Sequence, residues 1–470
     1  MKFILKYWVF FIAGISILLF LWLRFNFIGT SFDFTGDPGR DMLVLWDWRE
    51  SGKPPLLGPQ TSAMPINQSA VYFYMLYPAF LIMNGDPISA NITVAVFWIV
   101  SLLIGLWVLR KRPDLQWVSL IVFALSSIHP IFVSQTREVW NPSFLPPLIT
   151  IGIISLYLLK EKFTYKRLWM FALSMSLAVS LHFPVGALAV ACLIYVAIFF
   201  KEKRFLVLIA LIMAILFFNL PTIAFEVRHD FLITKSTLSG NWIGTEQFTR
   251  IDNLNMLIKF SGGLSGWWAN VLLFLGLGFF AIQKMLLKND SLTKMVGLLM
   301  ILFVAITIAS KMAFHSHYAF GFAVLLFFLI SQLPTKIFLS VLLLLEIVWL
   351  NPSQTDKYFS PARRPIEEMS NCFEKICSSE ADPLFVSVQS GVSPFHVGYE
   401  FRYLMKKAGC QVRYIEREPT AATKMAVVVD SSSYEHRKTG FEELTIFGDS
   451  EVSAQYTCSK DFGVVVLKRN

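Results

Sequence analysis

Long apolar segments recur along the chain, each close to the length that an α-helix needs to cross a lipid bilayer. A span takes about 20 apolar residues, and this requirement predicts about eleven spans. They lie near residues 7–24, 88–109, 115–132, 143–159, 167–182, 184–200, 205–224, 266–287, 293–312, 315–332 and 335–351. The chain is 55% hydrophobic and 16% charged, which excludes a soluble surface over most of its length. We therefore expect a mainly α, polytopic transmembrane helix bundle.

Lysine and arginine are concentrated in alternate connections between these segments. The basic stretches are Lys2 to Lys6, Arg110 to Arg112, Lys160 to Arg167, Lys201 to Arg204, Lys284 to Lys294, and Lys336. Positive charges mark the cytoplasmic side, so the N-terminus is expected inside and, after an odd number of spans, residues 352–470 outside. This pattern predicts a multi-pass protein of the plasma (inner) membrane. The net charge of +9 is then a property of loops and predicts no nucleic-acid partner.

The polar tail forms a second predicted region, residues 352–470, after a membrane domain at 1–351. Residues 384–388, 425–430 and 464–467 have strand-like patterns and 395–407 a helix-like one, which predicts a small extracytoplasmic α/β domain. Four of the five cysteines lie there: Cys372, Cys377, Cys410 and Cys458. In an exported domain they predict two disulfides with three possible pairings. The alternative is four unpaired core residues.

The first outer connection, residues 25–87, is too long for a simple loop. Residues 41–50 and 71–83 are amphipathic or aromatic, and we expect them to form helices that lie in the membrane interface. A full span at 70–84 is the alternative. It would break the alternation of basic connections.

Placing a charged residue in or near a membrane costs free energy, so the charged residues found there are candidates for function. Asp37 lies in a Gly/Pro-rich turn directly after the first span, where its carboxylate could accept a proton from an attacking hydroxyl. The structural alternative is an N-cap for a helix begun by Pro38. Arg40 and Asp41 follow in the same turn, and Arg40 could neutralise a phosphate.

Other polar residues of the outer connections are candidates for substrate binding. They are Arg137, His182, Arg228, His229, Lys311, His317 and Tyr318. The planar fork of an arginine such as Arg137 matches phosphate oxygens, although a plain interfacial pair with Glu138 is an alternative. His182 could equally be a hydrogen-bonded packing residue. A divalent metal held by His315 and His317 with a carboxylate is possible chemistry, although the spacing is a weak signal.

Several short motifs of the outer connections occur in a recognisable order. They are GDPGRD at 36–41, GKPPLLGPQTS at 52–62, the aromatic run 72–74 before GDP at 85–87, REVWNP at 137–142, LHF at 181–183, FEVRH at 225–229, and HY at 317–318. Over residues 5–350 this order resembles the bacterial membrane glycosyltransferases of the GT-C class, which include relatives of the protein O-mannosyltransferases and of the lipid A aminoarabinose transferase.

The resemblance implies an enzyme that transfers a hexosyl or pentosyl group from a polyprenyl-phosphate donor to an acceptor hydroxyl on a protein, lipid or glycan. Transfer would occur at the outer face with inversion. Asp37 would be the general base, and Arg40, Arg137 and Arg228 are candidates to hold the lipid phosphate. Where relatives usually carry a His-Gly-Pro or Glu-Lys-Pro step, this chain has NQSA at 67–70, so the donor is held differently or activity is reduced.

Two other classes of function remain open. A transporter or flippase of lipid-linked saccharides would also need many helices, but it should show polar or broken spans near the bilayer midplane. The spans here are almost uninterruptedly apolar, which favours chemistry at one surface. A catalytically silent scaffold that displays the tail is the third class.

Overall fold

The computed structural model describes residues 2–32, 34–61, 66–200, 202–239, 249–287, 291–309, 315–389, 398–429, 442–459 and 462–470. The helices up to residue 199 are α1 Lys2–Phe25, α2 Ile28–Ser31, α3 Gly36–Ser51, α4 Val71–Ile82, α5 Ser89–Val108, α6 Pro113–Ile128, α7 Pro130–Arg137, α8 Leu145–Glu161, α9 Tyr165–Leu181 and α10 Gly186–Phe199. Short 3-10 helices lie at Asn141–Phe144, Phe183–Val185 and Ser316–Ala319.

The remaining helices are α11 Arg204–Phe218, α12 Leu220–Arg228, α13 Leu232–Leu238, α14 Arg250–Gly262, α15 Trp267–Leu287, α16 Ser291–Ala309, α17 Phe320–Ile330, α18 Thr335–Trp349, α19 Pro352–Phe359, α20 Ile366–Ser379, α21 Tyr399–Lys407 and α22 Glu442–Phe447. The strands are β1 Leu384–Gln389, β2 Val412–Arg413, β3 Lys424–Val429, β4 Ser450–Thr457 and β5 Gly463–Arg469.

Each apolar segment predicted to span the membrane lies on one or two of these helices. Within the described residues, five helices are long and apolar enough to cross a bilayer, and three bent pairs raise that number to eight if each pair is one span. Three shorter apolar helices lie at Val71–Ile82, Phe183–Phe199 and Ser316–Ile330. The chain is thus a mainly helical, multi-pass membrane protein. The count of eleven spans stays a prediction.

One of the bent pairs, α6 and α7, turns by 69° where His129 precedes Pro130. Proline has no N–H to continue the helix, which explains a sharp bend at this position. Arg24, buried at the end of α1, fills the bend: Nε donates to Thr136 Oγ1 at 2.9 Å and Nη1 donates to the carbonyl oxygen of Ser127. A buried cation therefore satisfies groups that the break exposes.

The chain forms two compact units, which do not follow the order of the sequence. The first unit contains residues 1–24, 55–76 and 92–356, and the second contains residues 25–54, 77–91 and 357–470. The second unit therefore combines parts of the first outer connection with the tail. In it, α2 and α3 pack against the tail helices α20 and α21, respectively.

The sheet of the second unit has five strands in the order β2-β1-β3-β5-β4. Strand β1 is parallel to β2 and β3, and β5 is antiparallel to β3 and β4. The three strands predicted from apolar runs are β1, β3 and β5, all largely buried. The edge strand β4 was not predicted, because most of its residues are exposed and give no apolar signal.

Two disulfides form in the second unit, as the cysteine count predicted. They join Cys372 to Cys458 and Cys377 to Cys410, so α20 is bonded to the end of β4 and to the segment between α21 and β2. Cys192 is a buried free thiol. Disulfides persist in oxidising compartments, which is consistent with an exported second unit.

The disulfides give a direct test of membrane topology. In a Cys192→Ser variant, we expect a membrane-impermeant maleimide to label intact cells only after a reductant is added, because all four remaining thiols are paired. The same variant with Cys372→Ser and Cys458→Ser is the control, since it leaves the Cys377 to Cys410 bond as the single target of the reductant. Labelling that requires permeabilised cells would reverse the predicted orientation.

Candidate functional site

The first turn of α3 carries three side chains in contact, which we call the first-turn cluster: Asp37, Arg40 and Asp41. Arg40 donates from Nη1 to Asp37 Oδ1 at 2.8 Å, and from Nη2 and Nε to Asp41 Oδ1 at 2.8 and 3.0 Å. Asp41 is buried, whereas the Asp37 side chain is 57% exposed. The positive end of the helix dipole favours a carboxylate here. The cluster thus presents one accessible carboxylate, oriented by an arginine.

The start of α3 differs from the sequence-based expectation. The helix begins at Gly36, two residues before Pro38, and Thr35 occupies the N-cap position in an extended conformation. The alternative interpretation of Asp37 as the N-cap is therefore wrong. Asp37 belongs to the first turn, where its carboxylate is not required to cap the helix.

Helix α21 approaches the first turn of α3 very closely. A Cβ atom at Gly39 would lie 2.4 Å from both the backbone N and the Cα of Glu400. Glu400 is fully buried, and its Oε2 lies 3.9 Å from the place a Cβ of Gly36 would take. The absence of a side chain at Gly39 therefore lets the tail helix support the first-turn cluster.

Two further contacts hold α3 and its surroundings to α21. Lys406 Nζ donates to Asp47 Oδ1 at 2.9 Å and to Glu50 Oε2 at 3.3 Å. Burial lowers the pKa of Lys406, but the hydrogen bond to Asp47 and the charge of Glu50 outweigh burial, and the net pKa is raised. The hydroxyl of Tyr403 donates to the carbonyl oxygen of Gly85, and burial raises its pKa, so the hydroxyl stays protonated.

A second group of candidates lies in the first unit, and we call it the histidine cluster: His182, His315, His317 and Tyr318. Ring centroids are 5.0 Å apart for His182 and His317, and 5.6 Å apart for His182 and Tyr318. His315 stacks on His317 at 5.6 Å, and Trp140 packs edge-on to His317 at 4.5 Å. Imidazole and phenol groups this close can hold a polar or anionic ligand group.

The turn that carries His182 is fixed by amide side chains. Gln68 Oε1 accepts from the backbone N–H of Phe183 at 3.0 Å, and Asn141 Nδ2 donates to the carbonyl oxygen of Leu181 at 2.6 Å. Asn141 Nδ2 also lies 3.4 Å from His182 Nδ1, while Nε2 of this buried ring has no hydrogen-bond partner among the described residues. Gln68 belongs to the NQSA stretch at 67–70. Through its bond to Phe183 it helps to position His182 of the histidine cluster.

Arg137 bonds to the end of α1. It is 4% exposed, and Nη1 donates to the carbonyl oxygens of Leu23 and Arg24 at 3.0 Å each. A cation at the end of α1 satisfies carbonyl groups that have no partner within the helix. These contacts show a structural use of Arg137.

The charged segment around Arg228 also has a structural explanation. Glu226 is buried and accepts from the backbone N–H groups of Ile233 and Thr234 at 2.9 Å each, at the start of α13. Arg228 and His229 are exposed, and the His229 ring stacks on Phe225. Neither side chain contacts the histidine cluster of the first unit through a bond or ring pair among the described residues. Lys311 lies outside the described residues.

Among the described residues, no group of three or more His, Cys, Asp or Glu side chains has an arrangement that could hold a metal ion. No sequence pattern indicated Glu400, because its importance arises only from the approach of α21 to Gly39. Arg24 could have been noticed as a lone cation ending the first apolar segment. His129 is buried against Trp349 at a ring-centroid distance of 4.7 Å. The only sequence feature that draws attention to His129 is the Pro130 that follows it.

Comparisons with known proteins give a match in structure and none in sequence. No family model matches the chain, and no curated protein sequence matches it. Two crystal structures of ArnT from Cupriavidus metallidurans, one bound to undecaprenyl phosphate and one in the apo state, superpose with TM-scores of 0.62 and 0.61 at 10% identity. The matches cover 98% of this chain and 97% and 98% of those chains.

A cryo-EM structure of the arabinofuranosyltransferase AftD from Mycobacteria matches less well, with a TM-score of 0.44 and 11% identity over 98% of this chain and 41% of that chain. That score is too low to support a conclusion. At 10% identity, the similarity to ArnT concerns the fold alone, and it extends over nearly the whole of both chains. The chain therefore has the fold of the ArnT structures, in agreement with the resemblance that the sequence motifs indicated.

Proposed function

We propose that this protein transfers a sugar from a polyprenyl-phosphate donor to an acceptor hydroxyl of a protein, lipid or glycan at the outer face of the plasma (inner) membrane. The observation that carries the proposal is the exposed Asp37 carboxylate, oriented by Arg40 in the first turn of α3. The fold supports it, because the ArnT structure with the same fold is bound to undecaprenyl phosphate. A lipid donor also suits a multi-pass membrane protein.

In the proposed reaction Asp37 accepts the proton of the acceptor hydroxyl as its oxygen attacks the anomeric carbon. The bond from that carbon to the phosphate oxygen breaks, and polyprenyl phosphate leaves with the electron pair. Attack opposite the leaving group inverts the anomeric configuration. A general base in this position typically contributes about 10²–10⁴-fold to the rate.

The contacts of the candidate residues refine their proposed roles. Arg40 already bonds to Asp37 and Asp41, so we assign it to orienting the base and leave the donor phosphate to other groups. His182, with Nε2 lacking a partner among the described residues, stays a predicted substrate-binding residue of the first unit, together with His317 and Tyr318.

We infer the orientation in the membrane from the second unit. Residues 25–54 and 357–470 belong to this one compact unit, which supports a location of both on the same side of the bilayer. The distribution of positive charge predicts that this side is extracytoplasmic, with the N-terminus in the cytoplasm. The two disulfides support the same side.

The purified full-length chain, reconstituted in vesicles with labelled polyprenyl-phosphate hexoses and pentoses, tests the activity. We expect label to move to an acceptor hydroxyl, with stoichiometric release of polyprenyl phosphate and an inverted anomeric configuration in the product. Movement of the intact lipid between leaflets without release would instead identify a flippase. A chain that neither transfers the labelled sugar nor moves the lipid, with any of these donors, would contradict the proposed enzymatic function.

A further inference from the structure

A cavity of about 520 Å³ lies within the first unit, among α5, α6, α8 and α9. Its size is within the range of small-molecule sites, roughly 300–1,000 Å³. The inner walls are largely apolar and include Trp98, Leu102, Phe123 and Ile154. None of its lining residues belongs to the first-turn cluster or the histidine cluster, so the proposed reaction gives it no role.

Basic side chains line one end of this cavity. They are Arg110, Lys111, Arg112, Lys166 and Arg167, and they belong to two connections that the charge distribution predicts to be cytoplasmic. Arg112 is neutralised by Asp114 at 2.9 Å and Glu161 at 2.6 Å. Lys111 and Lys166 are exposed and form no ion pair with another described residue. The mouth of the cavity therefore carries uncompensated positive charge.

The interior of the cavity holds polar groups in need of a partner. Ser126 and Ser155 line it, each only 1% exposed, and neither hydroxyl has a hydrogen-bond partner among the described residues. Buried hydroxyl groups are nearly always satisfied in folded proteins. Ser155 is close to the basic end, since Glu161 at the end of the same helix pairs with Arg112, so an ester oxygen just below the charged end of a guest molecule could accept from its hydroxyl.

We propose that this cavity binds an anionic phospholipid of the cytoplasmic leaflet. An acyl chain occupies the apolar interior, an ester oxygen lies near Ser155, and the phosphate lies between Lys111 and Lys166. Basic residues at the cytoplasmic surface attract anionic lipid headgroups, which matches the charge of the mouth. The site is independent of the proposed sugar transfer, because the donor lipid is assigned to the opposite, extracytoplasmic side.

Binding to the full-length chain in detergent, followed by native mass spectrometry, tests this site. The probes are phosphatidylglycerol and phosphatidylcholine with identical acyl chains. We expect one molecule of phosphatidylglycerol to bind tightly to each chain and phosphatidylcholine to bind more weakly. A Lys111→Gln, Lys166→Gln variant should bind phosphatidylglycerol about 30-fold more weakly, at roughly fivefold per cation. The control is Lys203→Gln, Lys336→Gln, which removes the same charge from predicted cytoplasmic positions outside the cavity and should bind like wild type.

Three results would overturn the proposal: equal binding of the two phospholipids, equal losses in the two double variants, or displacement of phosphatidylglycerol by lower concentrations of polyprenyl phosphate. The last would make the occupant an isoprenoid lipid. If the Lys111→Gln, Lys166→Gln variant fails to fold, competition among the three lipids for the wild-type chain still tests the proposal. A Ser155→Leu variant adds bulk inside the cavity and should weaken phosphatidylglycerol binding while every basic residue of the mouth remains.

Discussion

Replacing Asp37 by Asn should reduce sugar transfer by about 10²–10⁴-fold, the usual contribution of a positioned general base. The amide has the size of the carboxylate, and its oxygen can still accept from Arg40 Nη1, which lies 2.8 Å from Asp37 Oδ1. It has no basic oxygen to take the proton of the acceptor. We therefore expect kcat to fall while the affinity for the donor lipid stays close to that of wild type, as measured by transfer and donor-binding assays.

Asp47→Asn is the matched control for this variant. Asp47 is another exposed carboxylate of α3, and it pairs with Lys406, which keeps Glu50 as a partner after the change. Because Asp47 is 45% exposed and Lys406 keeps Glu50 at 3.3 Å, we expect only a small change in the free energy of unfolding. The control should transfer sugar like wild type. Equal activity losses in the two variants would indicate damage to α3, and full activity in Asp37→Asn would mean that another residue is the base.

Replacing Gly39 by Ala should disrupt the contact between α3 and α21. The new methyl group would lie 2.4 Å from the backbone N and Cα of Glu400, and backbone atoms cannot rotate away as a side chain can. Overpacking of this kind typically lowers the free energy of unfolding by about 1–3 kcal/mol. Because α3 carries Asp37, a displaced helix should also lose transfer activity. Thermal unfolding and the transfer assay measure the two effects.

Gly36→Ala provides the comparison in the same helical turn. A Cβ at Gly36 would lie 3.9 Å from Glu400 Oε2, an ordinary van der Waals distance. Alanine has the higher helix propensity, by about 0.8–1.0 kcal/mol in a helix interior. The Gly36 variant should therefore be at least as stable as wild type and fully active. If both alanine variants behave alike, the close approach of α21 does not determine the stability of this turn.

The sequence was most informative where the determining interactions are local. Apolar segments predicted the membrane helices, because the length of a span and the absence of charge are visible within each segment. The three buried strands were predicted for the same reason. Strand β4 was missed because it is an edge strand with exposed side chains, whose position depends on pairing with β5.

The site was predictable only in part, since its support comes from residues far apart in sequence. The motif at 36–41 indicated Asp37, but it could not show that Arg40 bonds to both neighbouring carboxylates, a detail that depends on where the helix begins. The contact of Gly39 with Glu400 joins the first connection to the tail and leaves no local pattern. Likewise, cysteine spacing left three pairings open, and only the folded second unit distinguishes them.

The interleaved second unit imposes an order on biogenesis. Chains begin to fold from the N-terminus while the ribosome is still at work, and α3 is translated long before α21, the helix against which it packs. The helix that carries Asp37 is therefore synthesised early, but α21 can pack against it only after most of the chain has been made. A premature stop codon between residues 360 and 398 would give a polypeptide with its apolar helices complete and the surroundings of Asp37 unfinished. Immature chains therefore have no early opportunity to consume the donor.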